Sequence, residues 1–160
     1  MIETTRAHCL ICGHEVDLPA DLLGGMAQAP SLIGEAVRAA GLRTAEGWSP
    51  QEVAAHLADV ELVDGWRIRQ TLASDEPELE PFDQDAWAAA LRYGERDVET
   101  SLSAYAALRA VNVELLRGLS DGDWERRFRH REFGVQPLRV LVRHIADHDI
   151  EHLLQIEAGD

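Results

Sequence analysis

The 160-residue chain contains no lysine, and all 15 of its basic side chains are arginine. A Walker-type phosphate loop is thereby excluded, because its lysine is missing. Schiff-base and lysine general-base chemistry are excluded for the same reason. Positive charge is scarce altogether: 29 Asp and Glu stand against the arginines, for a formal net charge of −14. Such a chain repels phosphate backbones, so no nucleic-acid partner is expected. Aromatics are few (four Trp, two Tyr, three Phe), and the core must be mostly Leu, Ala and Val. The only two cysteines, Cys9 and Cys12, lie too close together to staple a fold. No apolar run approaches the roughly 18 residues that span a membrane. Met1 to Arg6 shows no basic stretch leading into an apolar one, so no signal peptide is expected. These absences predict a cytoplasmic protein with no membrane partner.

What is present is apolar material at helical spacing. The 46% of hydrophobic residues suffices for one core, and the length suits one domain. A Cys/His-rich N-terminal extension, residues 1–16, precedes a helical body over residues 17–160. The clearest helix start is Ser49-Pro50-Gln51-Glu52, with Ser49 as N-cap, Pro50 at the first helical position and Glu52 closing a capping box. Val53, Leu57 and Val60 continue it at three- and four-residue steps to about Leu72. A second pattern runs from about Val98 to Leu119, its apolar face assigned to Leu102, Tyr105, Leu108, Val111, Val113, Leu115 and Leu116. A third begins at Pro137 and continues through Leu141, Ile145 and Ile156. An earlier helix spans roughly Asp21 to Ala40 and closes at Gly41; with Pro30 inside, it either starts near Pro30 or kinks there. Trp87 and Leu91 lie on a short helix in a long crossover. Glu78 to Pro81 reads as loop, and Trp124 to Gly134 reads as extended loop rather than strand. The predicted fold class is all-α, a four-helix bundle with one long crossover.

Seven histidines are the informative feature. His144, His148 and His152 recur at i, i+4, i+8 on the last helix, so adjacent pairs share a face. An i, i+4 pair can hold one metal ion. Leu141 and Ile145 lie on the same stripe, so His148 and His152 point toward the core. His56, three residues after Val53 and four before Val60, faces the core as well. Buried imidazoles each need a partner. A metal satisfies several at once; hydrogen bonds to carboxylates would do the same. Three histidines with open positions would make a catalytic rather than a structural metal site.

In the extension, His8-Cys9-Leu10-Ile11-Cys12-Gly13-His14 has knuckle spacing. One knuckle supplies two thiolates of the four ligands a structural zinc wants, and His8 and His14 could complete a second metal site. The alternative is a frayed terminus with two free thiols.

Gly47 to Glu61 and the segment His148-Asp149-Ile150-Glu151-His152-Leu153-Leu154-Gln155-Ile156 resemble the second-helix and final-helix signatures of the DinB/YfiT-like superfamily. The resemblance covers about residues 18–158. It implies a four-helix bundle holding a divalent metal on three histidines, carried over here to His56, His148 and His152, with His144 beside them. Asp59, Glu61 and Asp149 neighbour these positions; Asp149 could orient an imidazole, and Glu61 or Asp59 could take a proton. It further implies hydrolase chemistry, or transfer of a low-molecular-weight thiol to a small-molecule substrate, in a homodimer. Histidine-only ligation suits zinc or nickel first. Arg126, Arg127, Arg129 and Arg131 form the one locally basic stretch, where an anion would bind. A non-catalytic metal-binding or sensor module is the alternative function, and histidines satisfied by carboxylates without a metal the third reading.

Overall fold

The computed structural model describes residues 3–9, 14–41 and 47–158. Four long helices form the frame: α1 (Leu22–Ala40), α2 (Pro50–Ala73), α4 (Val98–Arg117) and α6 (Leu138–Ala158). Their starts follow side-chain chemistry. Asp21 caps α1 by accepting from the Gly24 N–H at 3.0 Å, and Asp97 caps α4 from the Thr100 N–H at 2.8 Å. The Ser49–Glu52 capping box opens α2, the Ser49 N–H donating to Glu52 Oε2 at 2.8 Å. Gly41 ends α1 at φ 65°, a left-handed value that favours glycine. Around the bundle, α1 packs on α4 and α6, and α2 packs on α4 and α6.

Two regions depart from the expectation. First, α1 does not start near Pro30 but runs through it from Leu22, and the carbonyl that proline leaves unpaired is met from α4. Second, the expected loops at 78–81 and 124–134 contain strands. Here β3 (Glu78–Leu79) pairs parallel with β4 (Arg127–His130), and β4 pairs antiparallel with β5 (Gly134–Pro137). In β4, Arg127 and Arg129 are exposed while Phe128 and His130 are buried, an alternation of period two. A single Phe beside a His gave it too little apolar signal. The crossover also carries α3 (Gln84–Ala90), and a single turn, α5 (Asp121–Trp124), precedes β4.

Near the N-terminus, β1 (Thr4–His8) and β2 (Glu15–Pro19) form an antiparallel hairpin across residue 16, and β2 packs on α1 and α6. The core has two clusters. One joins Met26, Ile68, Leu116, Phe128 and Leu138; the other joins Ile33, Val53, Leu57, Tyr105 and Ile156.

Candidate metal centre

His56, one turn and a half into α2, is fully buried. His148 and His152, one turn apart on α6, face it. The His56 and His148 Nε2 atoms are 3.2 Å apart, and those of His148 and His152 are 3.1 Å apart. One ligand atom from each of the three lies within 4.8 Å of the others. Burial drives all three toward the neutral form, His56 to about 3; neighbouring imidazoles add to the effect at His56 and His148, while Gln155 and nearby carboxylates oppose it at His152. Neutral imidazole is the ligating form. His152 Nδ1 lies 2.8 Å from Gln155 Oε1, an acceptor, so its proton sits on Nδ1 and the Nε2 lone pair faces the cluster. His56 Nδ1 is buried with no hydrogen-bond partner, so that ring's polar contact is made through Nε2. Three neutral rings crowding their nitrogens together fit a shared cation and give one another little otherwise, since nitrogens in contact cannot all be donors. Trp48 packs edge-on against His56 at 4.6 Å between centroids, and Phe82 stacks at 6.0 Å.

The acidic side chains near these positions have other partners. Asp149, one residue from His148, is buried against Arg109, whose Nη2 donates to its Oδ1 at 3.0 Å, and it accepts from the Tyr105 hydroxyl at 2.7 Å. Glu61 accepts from Arg109 Nε at 2.9 Å and from Asn112 Nδ2 at 2.8 Å. Asp59 accepts from Arg96 at 2.8 Å. Sequence reasoning missed Arg109, Tyr105 and Asn112 as a polar unit. The buried face of α4 runs Leu102, Tyr105, Arg109, Asn112, Val113 and Leu116, while Val111, expected on it, is 53% exposed. A signal existed: Arg109 and Asn112 sit at helical spacing from Leu102, Tyr105 and Leu116, on a stripe that should have been apolar.

His144 lies one turn before His148, its ring 6.3 Å away, and its Nδ1 is 3.8 Å from the buried Cys9 Sγ. Cys12 lies outside the described residues. His8 pairs with Glu15 at 3.3 Å, and His14 is exposed, its carbonyl accepting from the Cys9 N–H. The basic stretch is neutralised locally. Arg127 and Arg129 lie against Glu76, Arg131 against Glu78 and Glu80, and Arg126 donates to the Thr71 and Ser74 carbonyls.

A cavity of about 660 Å³ opens beside His56 and His148. Asp64 and Arg67 of α2 line it, together with Phe82, His130, Phe133 and His144. Burial pushes the Asp64 carboxyl up to about 6, with Arg67 opposing the shift. No helix among the described residues is long and apolar enough to cross a membrane.

A model of the DinB superfamily matches residues 31–156. A protein of Oceanobacillus iheyensis, named as a candidate metal-dependent hydrolase, is 34% identical over 110 residues, covering 69% of this chain and 63% of its own length. YfiT of Bacillus subtilis, named in the same way, is 31% identical over 115 residues, covering 69% of this chain and 64% of its own. The chain thus spans somewhat less than two thirds of these relatives. The solved structure of Bacillus subtilis YfiT, described as an unusual four-helix bundle, matches 85% of this chain and 82% of its own with a TM-score of 0.79 at 24% identity, a likeness of fold. With the family match running from the middle of α1 nearly to the end of α6, the chain belongs to the DinB superfamily.

Proposed function

We propose that this chain is a metal-dependent hydrolase acting on a small molecule, with a divalent ion, zinc or nickel first, held by His56, His148 and His152. The observation that carries the reading is the convergence of three neutral imidazoles whose ligand atoms lie within 4.8 Å of one another beside an open cavity. The naming of its relatives supports the same chemistry. An ion on three protein ligands with open positions acts as a Lewis acid and lowers the pKa of a bound water or thiol. The chain's own residues supply the frame. Gln155 holds His152 in the tautomer that turns Nε2 inward, Trp48 and Phe82 pack against the His56 ring, and the cavity seats the substrate beside His56 and His148. Glu61 and Asp149 are tied to Arg109, so they act by holding α2 and α6 in place rather than by taking protons from substrate.

The test is metal content followed by turnover. Purified protein should carry a divalent ion in stoichiometric amount, lose it in His148→Ala, and hydrolyse members of a panel of activated esters, amides and lactones only when loaded. Absence of metal sinks the proposal. Metal without hydrolysis, but with transfer of a small thiol to an electrophile, makes the protein a transferase; metal with neither activity makes it a binding module.

A further inference from the structure

The cavity has two chemically different ends. On α2, His56, Val60, Asp64 and Arg67 follow one another at steps of four, four and three residues and all line it. Arg67 begins roughly 16 Å along the helix axis from His56, at ~1.5 Å per residue. On α6, His144 and Leu141 extend the lining in the same direction away from His148. We infer that the end remote from the three-histidine cluster is a carboxylate-binding subsite, formed by Arg67, His130 and His144. The inference rests on the reading of this cavity as a substrate site.

The donor inventory supports it. Arg67 is held as a rigid fork, with Nη1 donating to Asp64 at 2.9 Å and Nη2 to the Glu80 carbonyl at 2.6 Å. Two of its five N–H groups are engaged in these bonds, and the others remain for a ligand. His130 Nδ1 accepts from the Glu132 backbone N–H at 3.3 Å, which places the ring proton on Nε2. His144 lines the same end, its Nδ1 3.8 Å from the Cys9 sulfur. Burial, and after it the Arg67 charge, lowers the His130 pKa, so that ring is a neutral donor. Three carboxylates line the cavity as well: Arg67 already occupies Asp64, Asp83 caps α3, and Glu132 is exposed. The unengaged donors take an acceptor-rich group.

A monoanion is favoured over a dianion: Arg67 is the one cation among the described lining residues and Asp64 and Glu132 are carboxylates beside it, so a phosphate monoester would leave one more negative charge uncompensated than a carboxylate does. Much of the remaining lining is apolar, with Val60, Phe82, Phe128, Phe133 and Leu141. The substrate class is therefore an elongated molecule with a reactive bond at one end, an apolar or aromatic middle and a carboxylate at the other.

Calorimetric binding of 4-phenylbutyrate, compared with 4-phenylbutanamide and 3-phenylpropyl phosphate, tests this on the whole chain. The acid should bind at least about ten-fold more tightly than the amide, worth roughly 1.4 kcal/mol, and more tightly than the phosphate. Arg67→Met should abolish the preference over the amide, and His152→Ala, deprived of its metal, should keep it. Equal binding of acid and amide overturns the inference, as does tighter binding of the phosphate, or no binding of the acid up to on the order of 10 mM. A preference that survives Arg67→Met overturns it too, and its loss in His152→Ala would then put the carboxylate on the metal. Should Arg67→Met fail to fold, the wild-type and His152→Ala comparisons still decide. A protein that binds no metal yet keeps the preference refutes the proposed hydrolase and leaves the subsite standing.

Discussion

Arg109 on α4 donates from Nη1 to the carbonyl of Met26 on α1 at 3.1 Å, and that carbonyl is the acceptor four residues before Pro30. Proline has no N–H to give it, so a guanidinium from another helix takes the place of the missing helical bond. The same guanidinium holds Glu61 on α2 and Asp149 on α6. All four long helices therefore meet at one buried group. Both of its carboxylate partners lie near the histidine cluster in sequence, Glu61 five residues after His56 and Asp149 beside His148. The clamp thus sets how α2 and α6 present their imidazoles to each other.

Removing one member of such a buried unit strands the rest. Arg109→Met is expected to lower stability by about 3–5 kcal/mol, because two buried carboxylates and a carbonyl lose their common partner. Arg109→Lys should recover little of this, since an ammonium cannot fork to both acids. Urea denaturation of the three proteins measures it. A loss below about 1 kcal/mol would mean that the carboxylates find other partners or protons at little cost.

Gly65 offers a test of opposite sign from the usual one. In a helix interior Gly→Ala ordinarily stabilises by roughly 0.5–1 kcal/mol. Here a Cβ would sit 2.6 Å from Asn112 Nδ2 and 2.9 Å from its Oδ1. Asn112 cannot step aside freely, because it donates to Glu61 and accepts from Arg69 at 2.6 Å. Gly65→Ala should therefore destabilise by about 1–3 kcal/mol, read as a drop in the thermal midpoint. A rise would show that the α2–α4 contact yields.

The buried histidines predict an acid response of the metal-free protein. His56 is held at about 3 when folded and returns toward its ordinary 6.5 when unfolded. Below 6.5 the unfolded chain binds a proton that the folded one refuses, so stability falls as the pH drops from 6.5 toward 3. The slope is at most about 1.4 kcal/mol per pH unit for this site. Asp64 and Asp147, each raised to about 6, act in the opposite direction, their contribution growing as the pH falls through 6. Comparison with His56→Phe cancels them. Between pH 7 and 5 the wild type should lose about 2 kcal/mol more than the variant in urea melts; equal losses would place His56 in a solvated setting.

Metal retention should separate the four neighbouring histidines. After dialysis, His56→Ala, His148→Ala and His152→Ala are each expected to hold well under one ion per chain, and His144→Ala close to one. Metal content by mass spectrometry decides it. A stoichiometric ion retained by His152→Ala would remove that residue from the proposed ligand set.

Much of this architecture was legible in local chemistry. Ser49, Pro50 and Glu52 announce the start of α2, and Asp21, Gly41 and Pro137 bracket α1 and the start of α6 to within a residue or two. The inward placement of His56, His148 and His152 followed from steps of three and four residues against Val53, Val60, Leu141 and Ile145. The β4 strand was not legible, because its inward side chains are Phe128 and His130 and its outward ones are arginines. Nor did Leu108 and Val111 mark the buried face of α4, which instead carries Arg109 and Asn112.

The division has a physical cause. Caps, helical period and the face on which a histidine lies depend on covalent geometry and on bonds within about four residues, so the amino-acid sequence by itself determined the four long helices and which histidines turn inward. The partners of Arg109, the cavity that gathers Arg67, His130 and His144, and the approach of three Nε2 atoms depend on how helices cross, with contacts made over tens of residues. Burying an arginine is prohibitive alone and tolerable only when every partner arrives together. No local pattern records that condition; tertiary structure alone decided it.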